Sequence, residues 1–127
     1  MKGNKGEWSE LYALLRLLAY GKLFAANEKV QKINDTYFPI LQIFREDVPG
    51  KAIRYVLEDN KQVDIYINEK KVKDIQTDRI RKYADFLYKG ILDGTNRAFE
   101  ISGSENIMSE LECERLAAPS SNKTDII

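Results

Sequence analysis

Apolar side chains recur along the first part of the chain at the spacing of one helical face. Trp8, Leu11, Tyr12, Leu15 and Leu18 fall three or four residues apart, and Gly21 follows as a C′ residue. Asn4 stands three residues before Glu7, the spacing at which an N-cap side chain and an N3 carboxylate satisfy each other's backbone amides. The pattern predicts a helix over about residues 5–20. Lys22–Ala26 is a short extended piece, and a polar link rich in Lys, Asn and Asp follows. From Tyr37 to Arg45 the chain turns to aromatic and β-branched residues, with Pro39 marking the start or an edge of a sheet.

After the break at Val48-Pro49-Gly50, Ala52–Glu58 and Gln62–Asn68 flank Asp59-Asn60-Lys61 and predict a hairpin. In its second arm Val63, Ile65 and Ile67 face one way, while Asp64, Tyr66 and Asn68 face the other. A turn at Asn68–Lys70 leads to a strand at Lys71–Ile75. Thr77 serves as N-cap of a second helix whose stripe is Ile80, Tyr83, Ala84, Leu87, Ile91 and Leu92, ended by Gly94. Ser102, with Glu105 three residues on, opens a shorter helix through Ile107, Met108 and Leu111. Leu116-Ala117-Ala118 is extended, Pro119-Ser120-Ser121-Asn122 is a turn, and Thr124-Asp125-Ile126-Ile127 opens a strand. The fold class is α+β: an N-terminal helix, an antiparallel sheet of three to four strands, two further helices and a last strand, in a single domain over residues 1–127.

Composition narrows the chemistry. No run approaches the roughly 20 consecutive apolar residues that span a bilayer, and Glu7-Trp8-Ser9-Glu10 does not fit a signal peptide's apolar region. A lone cysteine, Cys113, suits a reducing cytoplasm, and no histidine stands beside it to activate it. The chain has no histidine at all. That removes Ser-His-Asp and Cys-His triads and His-based zinc sites, and leaves carboxylates, lysines and hydroxyls, which suit magnesium and phosphate chemistry. The formal net charge is +0, far from the strongly basic balance of a dedicated nucleic-acid binder.

Two carboxylates stand out. Glu7 falls on the inward side of the first helix, because Leu11, Leu14, Leu15 and Leu18 follow at helical intervals. An inward acid needs a partner, and two readings stay open: the capping box, or a carboxylate aimed at a metal or phosphate. Asp125 enters an apolar strand just after Ser120-Ser121-Asn122-Lys123, a frequent position for a metal-binding aspartate and equally the polar end of a turn. Asp64 followed by Glu69-Lys70-Lys71 matches the acid-and-lysine spacing of magnesium-dependent nucleases. It is set aside, since Glu69 and its lysines fall in or beside a hairpin turn. Lys70, Lys71, Lys73, Arg79, Arg81 and Lys82, together with Arg45, Lys51 and Arg54, could reach phosphates, although acids are interleaved among them. Tyr66, Tyr83, Phe86 and Tyr88 read as packing.

Lys2-Gly3-Asn4-Lys5-Gly6-Glu7-Trp8-Ser9-Glu10-Leu11-Tyr12 resembles the opening of the HpaII-like family of type II restriction endonucleases. The resemblance continues through Leu23-Phe24-Ala25-Ala26, Tyr37-Phe38-Pro39-Ile40-Leu41, Ile43-Phe44-Arg45 and Ala118-Pro119-Ser120-Ser121-Asn122-Lys123-Thr124-Asp125-Ile126. It implies a PD-(D/E)xK nuclease core and Mg2+-dependent hydrolysis of double-stranded DNA within C-C-G-G. Asp125 then looks like the first metal-binding acid, and Glu7 like the helix-borne acid beside the metal. Thr124 stands where the motif's proline would be, and the lysine strand would follow residue 127. On this resemblance residues 1–21 belong to the nuclease core, 22–117 form a family-specific elaboration, and 118–127 begin a catalytic strand. The chain by itself would then lack a complete active site. A homodimer and a cognate DNA methyltransferase are the implied partners. A non-catalytic DNA-binding or protein-interaction module, and a structure-specific nuclease of the same core, are the competing readings.

Overall fold

A computed structural model describes residues 1–26, 32–59, 61–95, 97–117 and 125–126, with the backbone alone at 23–26, 32–38 and 125–126. The predicted turn over Pro119–Asn122 lies outside the described residues. In chain order the elements are β1 (Lys2–Gly3), α1 (Lys5–Tyr20), β2 (Lys22–Ala26), β3 (Lys32–Pro39), β4 (Gln42–Arg45), β5 (Ile53–Glu58), β6 (Gln62–Ile67), β7 (Lys70–Gln76), α2 (Thr77–Asp93), β8 (Phe99–Glu100), α3 (Ser104–Glu110) and β9 (Asp125–Ile126).

Helix α1 begins where its sequence dictates. The Asn4 side chain accepts from the Glu7 amide at 2.9 Å, and Glu7 Oε1 accepts from the Asn4 amide at 3.1 Å. Two amides that the helix cannot satisfy internally are thus paired. At the other end Gly21 takes φ 64°, and its N–H closes on the Leu17 carbonyl. Trp8, Leu11, Leu14, Leu15, Leu18 and Ala19 are all buried. The strand β1, just before the cap, pairs with β8. The Trp8 indole N–H donates to the Phe99 carbonyl at 3.0 Å. Gly3 is buried against this indole, and a Cβ there would lie 2.3 Å from Leu116 Cδ1.

Strands β4 to β7 and β9 form one antiparallel sheet in the order β7-β6-β5-β4-β9, while β2 and β3 form a separate hairpin. The predicted strand over 37–45 is divided at Ile40 and Leu41 between these two sheets, and β3 reaches back to Lys32, through the link read as polar. The turn from β6 to β7 places Asn68 at φ 49° and Glu69 at φ 68°, the paired left-handed conformation of a type I′ hairpin turn. The inward face of the sheet carries Ile43, Ile53, Tyr55, Val63, Ile65 and Ile75, which join Trp8, Leu15, Ile80, Leu87, Ile107 and Leu111 in one core.

Helix α2 is amphipathic, with Ile80, Ala84 and Leu87 buried, whereas Leu92, expected on its inward stripe, is 61% exposed. Its cap is Gln76 rather than Thr77, which becomes the first helical residue and is buried. The third helix starts after Gly103 at φ 90°, one residue later than the Ser102 cap predicts. At α3 the left-handed Gly103 rather than the Ser102 hydroxyl sets the boundary, whereas α2 follows directly on the extended last residue of β7.

Asn4→Ala is expected to lower stability by about 1 kcal/mol, read from urea denaturation midpoints. An unchanged midpoint would show that the reciprocal cap is not what holds the start of α1.

Candidate functional site

Glu7 departs from the inward placement that the leucine spacing predicts: it is exposed. At the third helical position the carboxylate turns back to the Asn4 amide instead. The cap is therefore one of its roles. The metal-facing role stands as a proposal.

Asp125 lies in β9, the strand that pairs antiparallel with β4 at the edge of the sheet, with Phe44 as its register partner and Ile43 opposite Ile126. The expected strand opening is thus present, and it joins the sheet beside the family segment Ile43-Phe44-Arg45. Among the described residues, no group of three or more acids or cysteines gathers at a metal-binding distance.

Beside this strand the structure places a pair that sequence reasoning did not single out. Arg45, at the end of β4, shares the inward face with Ile43 and is 3% exposed; Asp47 is 0% exposed. The Arg45 Nε donates to Asp47 Oδ1. Its Nη2 donates to the carbonyls of Arg115 at 2.6 Å and Leu116 at 3.2 Å. Asp47 Oδ2 accepts from the amides of Glu114 at 2.8 Å and Arg115 at 3.0 Å. Two buried charges are thus neutralised by each other and by four backbone groups of one segment, the condition under which a buried ion pair is tolerated. Arg45 is correspondingly withdrawn from the phosphate contacts considered for it. Removing one partner would leave the other buried and uncompensated, at a cost of roughly 3–5 kcal/mol.

Tyr55 and Cys113 complete this buried corner. The Tyr55 hydroxyl donates to the Leu111 carbonyl at 2.7 Å and lies 3.5 Å from Cys113 Sγ. Burial raises the Tyr55 pKa well above its ordinary value, and the neighbouring thiol adds to it. Burial likewise raises the Cys113 thiol, more strongly than Arg45 and the Tyr55 hydroxyl lower it. For Arg45 burial alone would lower the pKa, but Cys113, Asp47 and Tyr55 outweigh it and the guanidinium is held charged. Cys113 is therefore a protonated, buried packing residue, as its sequence surroundings predict.

The basic residues considered for DNA are largely engaged on the surface. Lys71 reaches Asp64 at 3.4 Å and Asp74 at 3.9 Å. Lys73 pairs with Glu112 at 3.1 Å, Arg79 with Glu110 at 3.3 Å and Arg81 with Asp78 at 2.9 Å. Lys70 and Lys82 are exposed. Lys51 binds Glu112 and Glu114, and Arg54 stacks on Tyr66 with its guanidinium 4.2 Å from the ring centroid. Glu69 sits in the hairpin turn and faces Arg54, while Asp64 is held by Gln62 and Lys71. The acids of the discarded Asp64–Glu69 pattern thus have separate partners.

A raised thiol pKa contributes stability that is complete below the unfolded value of about 8.5 and is lost as pH rises through the folded value. Stability should therefore fall above about pH 8.5, and Cys113→Ala should flatten the part of that fall below about pH 10. Urea unfolding between neutral pH and pH 10 checks this; parallel curves for the two proteins would refute it.

Comparison with known proteins gives a match to the HpaII restriction endonuclease family over residues 4–127. The chain is 36% identical over 127 residues to the type II restriction enzyme HpaII of Haemophilus parainfluenzae, an alignment covering 98% of this chain and 34% of that protein. It thus spans about a third of the length of that relative. No solved structure matches.

Proposed function

This chain belongs to the HpaII restriction endonuclease family, and we propose that it is the N-terminal part of an Mg2+-dependent enzyme that hydrolyses double-stranded DNA within C-C-G-G. The observation that carries this reading is the family match over nearly the whole chain, including the strand that bears Asp125. Asp125 and Glu7 would hold the metal. Hard carboxylate oxygens suit magnesium, which takes one or two carboxylates and completes its shell with water and phosphate oxygens. Two acids meet that requirement. When bound, the ion supplies charge neutralisation at the scissile phosphate and a more acidic water.

In this reading the chain's own contribution is placement. Asp125 lies on the edge strand β9, paired with β4, and Glu7 is oriented by its bond to the Asn4 amide. The lysine that would position the attacking water belongs to a later strand, and the isolated 127 residues are inactive. The remaining proposals are a homodimeric enzyme, a cytoplasmic setting and a cognate methyltransferase protecting the host's sites. Of the described helices, none is long and apolar enough to cross a membrane.

The two roles of Glu7 can be separated. Glutamine still accepts the Asn4 amide bond, as capping boxes allow, but cannot carry the charge. In the complete protein, Glu7→Gln should keep the wild-type melting temperature while lowering plasmid cleavage, and Asp125→Asn should abolish cleavage. Full activity of Asp125→Asn would remove the proposed site. Full activity of Glu7→Gln would leave Glu7 as a cap alone.

DNA contact by the basic surface predicts a graded effect. Lys70→Ala and Lys82→Ala should each reduce the salt slope of duplex binding by about 0.9, uniformly across sequences. Filter binding at several salt concentrations reads this, and an unaltered slope excludes that lysine from phosphate contact.

A further inference from the structure

We propose that the buried Arg45–Asp47 pair is a positioning device for the Asp125 strand, fixing both the strand that receives β9 and the segment that feeds it. The proposal rests on the reading of Asp125 as a metal-binding acid. Three observations on the backbone converge on it. First, Arg45 directly follows Phe44, the residue paired with Asp125, so the guanidinium is built on the strand against which β9 lies. Second, the pair engages four main-chain groups of Glu114, Arg115 and Leu116, two amides on Asp47 and two carbonyls on Arg45. That segment precedes Asp125 in the chain by about ten residues. Third, both side chains are almost fully buried and are charged.

The chemistry explains why this pair suits the task. A segment outside helix and strand, such as residues 114–117, has no repeating pattern to fix its position on the sheet. An apolar contact would hold it without direction. A guanidinium fork and a carboxylate demand particular donors and acceptors at particular angles, and burial makes any slip expensive because each displaced group would be left unpaired. A metal site tolerates little slack, since a carboxylate held loosely must be ordered when the ion binds. Arg45 and Asp47 touch neither metal nor DNA in this scheme. They are positioning residues acting through the backbone.

The test uses the complete protein and two conservative changes, Arg45→Lys and Asp47→Asn, beside Ile107→Val as a comparator at a core site away from the pair. Melting temperatures are measured first, and all assays are run well below the lowest of them. Mn2+ binding is followed by electron paramagnetic resonance, duplex affinity is measured without divalent metal, and amide exchange is recorded for the peptide containing Asp125 and Ile126. The expected result is Mn2+ affinity weakened about tenfold or more and faster exchange in that peptide. Duplex affinity should stay within about threefold, and Ile107→Val should leave both metal affinity and exchange unchanged.

Wild-type Mn2+ affinity in both pair variants would overturn the proposal, as would equal losses in the comparator. Failure of both variants to fold would make the pair a requirement of folding and would overturn it equally. Asp125→Asn serves as the control on the underlying reading. If that variant binds Mn2+ normally, the site assignment has failed rather than the positioning role.

Discussion

The structure turns on a pair of opposite charges placed where solvent cannot reach them. Arg45 and Asp47 lie two residues apart at the end of β4, and together they tie the stretch after α3 to the sheet. Without them residues 113–117 would keep only the Lys51–Glu114 ion pair, the Cys113 contacts with Met108 and Tyr55, and the packing of Leu116 against Gly3. With them residues 114–116 are held at the end of β4 by four main-chain hydrogen bonds. A buried pair often contributes no more net stability than apolar residues of equal volume; what sets this one apart is that its bonds to the backbone are directional.

The opening of the chain has the same economy. Four residues of the opening stretch serve the start of α1. Gly3 permits close approach to Leu116 and Trp8, Asn4 and Glu7 complete the cap, and Trp8 joins the helix to Phe99. The opening stretch thus fastens the first helix to a short strand pair, and Glu7 is asked to serve both this device and, on the proposed reading, the metal.

Local signals in the sequence were enough for α1 and for the β5–β6 hairpin, because a reciprocal cap and a turn between alternating strands act within a few residues. The limits of β3 were not legible. Lys, Asn and Asp are poor strand formers, and only pairing with β2 draws residues 32–36 into extended structure. The two-residue strands β1 and β8 are too short to show a period. The candidate site was half legible. Asp125 could be placed on a strand, but its neighbours in the sheet depend on pairing across more than 80 residues. Arg45 carried a usable sign that was passed over: alternation puts it on the same face as Ile43, and a charge on an inward face requires a partner. The same reasoning applied to Glu7 pointed inward wrongly, since helix periodicity weakens in the first turn.

The lysines at 70, 71 and 73 have a consequence that is independent of DNA. They line β7, the border of the five-stranded sheet opposite β9. A border strand offers its free amides and carbonyls as a template on which a foreign strand can zip. Any such guest must dehydrate the exposed Lys70 and disturb the ion pairs of Lys71 and Lys73 before its hydrogen bonds form. The bulge between the partners of Ile65 and Tyr66 further spoils the flatness that templating needs. Colloidal behaviour is thus written into the same residues that a DNA-centred reading would assign to phosphates, and swapping them for valine or threonine would turn this border into a seed for aggregation.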